Sequence, residues 1–277
     1  ELVLDLAERL AAAGITTPAA DARLLVAHAL GCDASQLILK EAKREEQTRI
    51  VELAARRASG EPLQHITGKA PFRYEILAVG PGVFIPRPET ELLVDEVLDF
   101  LARGDQAHAR VVELCAGSGA ISRSLATERG GLEIHAVERS EAAWPWLRRN
   151  LEGLGVTCVL SDMAVACHEL DGTIDVVVAN PPYVPETMRE RLPSEVMRDP
   201  DEALFAGADG MEAIRVVHQV AKRLLTPGGL VAVEHDESHA EQVRDLFGVP
   251  YFQGARTIAD LTGRPRHLLA TRGRIDR

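Results

Sequence analysis

The chain reads as an α/β protein: a doubly wound, mostly parallel sheet preceded by a small helical bundle. Three observations predict this. Residues up to about 60 carry only helical periodicity. From Glu91 onward, helix-like and strand-like stretches alternate. The apolar run Ile174-Asp175-Val176-Val177-Val178-Ala179 has the β-branched density of a strand buried on both faces. With 277 residues, 46% of them apolar and 26% charged, the chain is long and apolar enough for one large domain plus a smaller one.

Composition also excludes. No stretch approaches the ~20 apolar residues of a membrane span, so no membrane partner is expected. Glu1-Leu2-Val3-Leu4-Asp5 lacks the basic region and apolar core of a signal peptide. A net charge of −11 disfavours a protein that grips nucleic-acid phosphates by itself, and shifts the expectation toward a protein or nucleoprotein surface as partner. Cys32, Cys115, Cys158 and Cys167 form no CxxC pair and read as free thiols of a reducing, cytoplasmic compartment. No metal-ligand pattern stands out: His235 and His239 are separated like metal ligands, but Asp236 replaces the glutamate of a helical His-Glu-x-x-His, so both read as exposed loop residues.

In chain order, Leu2, Leu6 and Leu10 repeat at helical spacing. Thr17-Pro18 opens a second helix with Leu24, Leu25, His28 and Ala29 on its apolar face. Charges over 40–49 read as a solvated face or loop. A third helix through Ile50, Val51, Leu53 and Ala54 ends at Gly60. These residues, 1–70, form the first domain. Phe72–Leu77 alternates, Gly80-Pro81-Gly82 turns, and Val83-Phe84-Ile85 returns, so 71–90 is predicted as a β-hairpin linker. The main domain, 91–277, then runs helix 91–103, strand 110–114, helix 120–128, strand 132–137, helix 141–154, strand 156–160 and strand 174–179. A helix over 211–225 breaks at Pro227-Gly228-Gly229. Strand 230–234, a helix near 238–247 and an antiparallel pair at 255–258 and 267–270 complete it.

Chemistry is expected where strand 174–179 stops. Asn180-Pro181-Pro182-Tyr183 follows it directly. Two prolines end the ladder, and the residue before a proline is held extended. Asn180 thus leaves the sheet in a fixed direction, at the edge where open α/β sheets bind ligands. The Asn180 amide and the Pro181 carbonyl are two neutral acceptors, with Tyr183 and Pro182 as flat walls. Such a site suits an –NH2 group whose two hydrogens are gripped while its nitrogen faces an electrophile.

The first strand ends in Glu113-Leu114-Cys115-Ala116-Gly117-Ser118-Gly119, where two glycines admit close backbone approach to a ligand. A nicotinamide fingerprint needs glycine or alanine where Ser122 stands. Glu138, at the end of the next strand, is placed as a ribose-binding carboxylate. An adenosyl ligand without pyrophosphate satisfies both facts, and S-adenosylmethionine is the obvious one. Glu113 could order the loop or meet that ligand's ammonium group.

At these motifs the chain resembles the class-1 release-factor glutamine N5-methyltransferases of HemK/PrmC type. The resemblance spans nearly the whole length. Gly60-Glu-Pro-Leu-Gln-His-Ile-Thr-Gly68, Phe84-Ile-Pro-Arg-Pro-Glu-Thr-Glu91, the glycine loop, Asn180-Pro-Pro-Tyr183 and the Asp260…Gly263-Arg264-Pro-Arg266 tail carry it. It implies a helical substrate-docking domain, a hairpin linker and a Rossmann-like catalytic domain. It also implies S-adenosylmethionine as methyl donor, S-adenosylhomocysteine as product, and the glutamine of the Gly-Gly-Gln loop of class-1 peptide release factors as acceptor.

Asn180, Pro181 and Tyr183 would then be the catalytic residues, with Pro182 also lining the substrate site. Glu113, Cys115, Ala116, Gly117, Ser118, Gly119, Glu138, Asp162, Met163 and Asn180 would line the cofactor site. The chain departs from the family pattern in places. Glu113 and Cys115 replace an Asp and a Gly, and Glu138 replaces an Asp. Met163 stands for an aromatic after Asp162, and Glu234-His235-Asp236 stands for Glu-Ile-Gly. Asn-Pro-Pro-Tyr is shared with adenine N6-methyltransferases, so a nucleic-acid enzyme is the nearest alternative. A ribosomal-protein glutamine methyltransferase and a noncatalytic cofactor-binding protein are further ones.

Overall fold

The computed structural model describes residues 2–104, 108–193 and 195–274. The chain divides into two compact units: residues 1–69 with 193–198, and residues 70–192 with 199–277. No helix among the described residues is long and apolar enough to cross a membrane.

The first unit packs α1 (Leu2–Ala12), α2 (Pro18–Ala29), α3 (Arg44–Ala58) and α4 (Leu63–Thr67). Leu6, Leu10, Ala22, Leu25, Val26, Ile50, Leu53 and Ile66 form its core. Burial of each large side chain stabilises by about 2 kcal/mol. Leu24 was expected on the buried face but is 45% exposed. The stripe Ala22, Leu25, Val26, Ala29 is spaced at i, i+3, i+4, i+7, which leaves Leu24 off the face. The charged stretch from Arg44 onward is the start of α3. The Glu46 carboxylate accepts the Lys43 amide at 2.7 Å and covers an otherwise unpaired N–H. Gly60, with φ +87°, follows α3 as predicted. Arg57 is buried in this unit, donating to Asp21 at 2.7 Å, to the Glu61 carbonyl at 3.0 Å and to Glu195 at 3.1 Å.

The second unit opens with a hairpin, but not the predicted one. Its strands are β1 (Lys69–Phe72) and β2 (Glu75–Ala78), and the turn is Arg73-Tyr74. Arg73 adopts φ +52°, and its guanidinium is held by Glu128, by Asp95 and by the Glu91 carbonyl. Those tertiary bonds hold a turn that has no glycine. The Gly80-Pro81-Gly82 segment makes no hairpin. A side chain at Gly80 would strike the Trp146 ring at 2.5 Å, and one at Gly82 would strike Ala142 at 2.9 Å. Both glycines serve close packing.

The sheet follows. α5 (Glu91–Arg103), β3 (Ala109–Leu114), α6 (Ala120–Glu128), β4 (Leu132–Glu138), α7 (Trp144–Leu151), β5 (Thr157–Leu160) and β6 (Ile174–Ala179) form its first half. α8 (Asp201–Leu204), α9 (Glu212–Leu224), β7 (Leu225–Glu234), α10 (Ala240–Leu246), β8 (Phe252–Ala259) and β9 (Pro265–Arg272) form its second. The strand order is β5-β4-β3-β6-β7-β9-β8. β3 to β7 run parallel, and β9 pairs antiparallel with β7 and β8.

Alternate side chains face opposite layers. Val111, Ile134, Val176, Val178 and Leu230 pack with α5 and α6, whereas Val112, Val137, Val177 and Val231 pack with α9 and α10. The predicted doubly wound fold is therefore observed. Boundaries moved at α7 and β7, and β8 and β9 are longer at both ends than expected. α7 is shorter than 141–154. β7 begins at Leu225, with Pro227 and Gly228 bulging outward where the pairing with β6 slips register.

Candidate active site

The order reversal between β3 and β6 places a switch point at the centre of the sheet, where ligands bind. Leu114 is level with Val137 and Ala179, and Ala179 is level with Val233. The next residues, Cys115, Glu138, Asn180 and Glu234, therefore line up along one edge of the sheet. Parallel register alone brings together positions up to 119 residues apart (234 − 115).

Asn180 is half-buried, and its Nδ2 donates to Thr90 Oγ1 at 3.1 Å. Thr90 Oγ1 donates to Glu234 Oε2 at 2.6 Å, and the Tyr183 hydroxyl donates to Glu234 Oε1 at 3.2 Å. His267 Nε2 lies 3.7 Å from Glu234 Oε2. Burial, followed by the Glu234 charge, raises the Tyr183 phenol, so it remains a donor. Among the described residues, no hydrogen bond ends on Asn180 Oδ1 or on the Pro181 carbonyl. These are the two acceptors expected from the sequence, both uncommitted at the ligand edge. Pro181 is buried, and Pro182 and Tyr183 are half-buried.

Beyond Tyr183 the chain is tied down. Val184 N donates to the Leu204 carbonyl, Ala206 N to the Val184 carbonyl and Glu186 N to the Gly207 carbonyl. Gly210 has no room for a Cβ, which would meet the Tyr183 carbonyl at 2.4 Å. On the other flank, Thr90 ends a single 3-10 turn, Pro88–Thr90, that leads into α5. The Ile85 amide and the Arg87 guanidinium before it both bond Asp199.

The glycine loop adjoins this edge. Glu113 is buried, with Oε2 accepting from the Ser122 amide at 2.9 Å and from the Ser122 hydroxyl. It therefore orders the loop by holding the first turn of α6. Burial pushes its carboxyl up to about 7. Cys115 takes φ +56°, the left-handed conformation that glycine adopts freely, so the turn survives the replacement. Burial pushes its thiol up to about 12, and its Sγ lies 3.7 Å from Met163 Sδ. It is a packed thiol, not a nucleophile.

Ala116, Ser118 and Gly119 are the buried residues of the loop. A Cβ at Gly119 (φ +80°) would strike Leu147 at 2.9 Å. Gly117 (φ +54°) faces open space instead. Beside it, Glu138 Oε2 accepts from the Gly117 amide and Oε1 from the Ser140 amide, each at 2.7 Å. A carboxylate offers about four acceptor positions, so two remain on Glu138. Open space at Gly117 beside that carboxylate fits a ligand bearing vicinal hydroxyls. Asp162 is exposed and accepts its own loop's Ala164 amide at 2.8 Å.

Two expectations fail here. His235 and His239 are not exposed loop residues: they are 0% and 7% exposed. The Arg266 carbonyl accepts the His235 amide, which continues the β7–β9 pairing, and the His239 ring packs against Gly210. Burial lowers the His235 imidazole. No cluster of metal-ligating side chains occurs among the described residues. Reasoning from sequence also missed Thr90, which carried no signal beyond its place in Pro-Arg-Pro-Glu-Thr-Glu.

A family model described as the PrmC N-terminal domain matches residues 1–68, and one described as conserved hypothetical protein 95 matches residues 72–199. A 4-amino-L-phenylalanine/4-methylamino-L-phenylalanine methyltransferase of Streptomyces pristinaespiralis is 38% identical over 244 residues, 86% of this chain and 83% of its own. Among solved structures, a methyltransferase from Pyrococcus furiosus superposes with TM-score 0.50 at 20% identity, over 72% of this chain and 89% of that one; this is a likeness of fold alone. The release factor glutamine methyltransferase of Streptomyces coelicolor is 44% identical over 266 residues, 95% of this chain and 94% of its own. A match of that identity over nearly the whole length shows that the chain belongs to the release factor glutamine methyltransferase family.

Proposed function

We propose that this chain methylates the side-chain amide nitrogen of the glutamine in the Gly-Gly-Gln loop of class-1 peptide release factors. S-adenosylmethionine, when bound, supplies an electrophilic sulfonium methyl and departs as S-adenosylhomocysteine. The supporting observation is the pair of uncommitted acceptors, Asn180 Oδ1 and the Pro181 carbonyl, beside a glycine loop and a ribose-type carboxylate.

An amide nitrogen is a poor nucleophile because its lone pair is delocalised into the carbonyl. Two acceptors gripping both N–H groups hold the –NH2 in one orientation and disfavour that delocalisation. Orientation of this kind supplies up to several kcal/mol, and fixed dipoles in a dry site add to it. Tyr183 and Pro182 pack the flat amide. The nitrogen–carbon bond forms as the sulfur–carbon bond breaks, and the nitrogen then loses one proton to water. The cofactor would lie along Cys115–Gly119, with Glu138 toward the ribose and Asp162 and Met163 toward the adenine. Glu113 holds the loop from beneath. Residues 1–70 would dock the protein substrate, with 71–90 as linker and 91–277 as the catalytic domain. The setting would be cytoplasmic, with neither membrane nor stable nucleic acid as partner.

A primary arylamine is the second reading. The relative from Streptomyces pristinaespiralis acts on one, and an arylamine presents the same planar –NH2. Purified protein and S-adenosylmethionine, incubated in parallel with unmodified release factor, with 4-amino-L-phenylalanine and with DNA, separate these readings by mass spectrometry. A single methyl on the Gly-Gly-Gln glutamine is expected. Transfer to the arylamine or to adenine, with none to the release factor, overturns the proposal.

A further inference from the structure

We propose that Thr90 and Glu234 are positioning residues that set which end of the Asn180 amide faces the substrate. The inference rests on the proposed glutamine chemistry for its purpose, and on hydrogen-bond polarity alone for its content. A carboxylate has no proton to give, so Glu234 can only accept. Thr90 has one hydroxyl hydrogen, and the 2.6 Å contact commits it to Glu234 Oε2. The Thr90 oxygen can then only accept from its other neighbour. That neighbour is the Asn180 side chain at 3.1 Å, which must present its NH2. Oδ1 is thereby turned away from Thr90 and left free to accept. The opposite orientation would set Oδ1 against an oxygen with no hydrogen left to offer, and would aim a donor at the substrate –NH2.

The same carboxylate fixes the wall of the site. Its second oxygen accepts from the Tyr183 hydroxyl at 3.2 Å. Glu234 is 1% exposed and Thr90 4%, so water does not substitute for either bond. One buried charge therefore writes the polarity of two groups of the Asn-Pro-Pro-Tyr motif. The outcome is a site lined by acceptors, complementary to an –NH2 and repulsive to a carboxylate. Glutamine is thus separated from glutamate by the charge at Glu234 and not by shape.

The variants are Thr90→Val, Thr90→Ser and Glu234→Gln, all near-isosteric. Valine removes the relay. Serine keeps it. Glutamine can donate to Thr90, which frees the Thr90 hydrogen for Asn180 Oδ1 and permits the reversed orientation. Two readouts are taken on the full chain: steady-state transfer to the release factor alongside the cofactor Kd, and exchange of the Asn180 side-chain NH2 protons by ¹⁵N NMR.

Thr90→Val and Glu234→Gln are expected to lower kcat roughly 10- to 100-fold, the effect of losing one oriented dipole, with cofactor Kd changed less than about threefold. Thr90→Ser is expected to stay within about threefold of the parent on the same scale. One slowly exchanging Asn180 proton is expected in the parent and in Thr90→Ser, and none in the other two. A parent-like kcat in Thr90→Val, an equal loss in Thr90→Ser, or no protected proton in the parent overturns the proposal. If the parent transfers no methyl to release factor, the glutamine reading falls, and the NMR comparison still decides the relay.

Discussion

At the scale of single residues, the two ends of the site answer to different physics. In the proposed chemistry Asn180 acts through one acceptor atom, so Asn180→Ala should reduce methyl transfer by at least about 100-fold, as loss of an oriented dipole does. Binding of S-adenosylmethionine, measured by calorimetry, should weaken far less than transfer, since Asn180 is one of many residues lining that site. Glu113 acts through burial. Its carboxyl is raised from 4.5 to about 7, so the folded chain holds a proton that the unfolded chain releases between those values. Stability from this group is therefore present below pH 4.5, falls as pH rises through 7, and costs up to about 3 kcal/mol above it. Glu113→Gln keeps an acceptor for the Ser122 amide without the charge. Its stability relative to the parent should rise between pH 5 and pH 8, as read by urea unfolding at both. A relative stability that does not move with pH would contradict the assignment.

At the scale of elements, the hairpin and β6 show what local sequence can and cannot carry. β6 ran over the residues expected, because a β-branched run and two following prolines are local signals that nothing distant contradicts. The hairpin turn was misplaced because Gly-Pro-Gly is a strong turn signal, whereas Arg73-Tyr74 is stable only through bonds to residues 18 and 55 positions away. Arg73→Ala should therefore cost about 3 kcal/mol by chemical denaturation, since it strands the half-buried Glu128 carboxylate. A loss under 1 kcal/mol would mean that the turn holds itself. The burial of His235 was hidden in the same way. Asp236, Glu237 and Ser238 advertise a loop, while the covering strand β9 lies some 30 residues on. Asn180, Gly117 and Glu138 were legible because each sits at a strand end with a motif of its own. Thr90 was not, because its meaning is a bond to a residue 144 positions away.

At the scale of the whole molecule, the first unit is not a contiguous stretch of chain, since residues 193–198 belong to it. Its most buried ion pair, Arg57 with Asp21, is closed by Thr17 on one side and by Glu195 on the other. Arg57→Ala leaves Asp21 buried without a cation and should cost about 3–5 kcal/mol. Glu195→Ala removes a partner that is 44% exposed and should cost under about 1 kcal/mol. Unfolding of both variants, with amide exchange in α2 and α3, tests the ranking, which equal losses would refute. The same segment separates the order of synthesis from the order of completion. A chain made from its amino end finishes the four helices early, yet the last strap of that bundle arrives only after β3, β4, β5 and β6 have been made. The nascent bundle must wait, without its bonds from Arg57 to Glu195 and from Arg198 to the Ser59 carbonyl, through more than a hundred added residues (193 − 69 = 124). A fragment cut at residue 69 would be held permanently at that earlier moment.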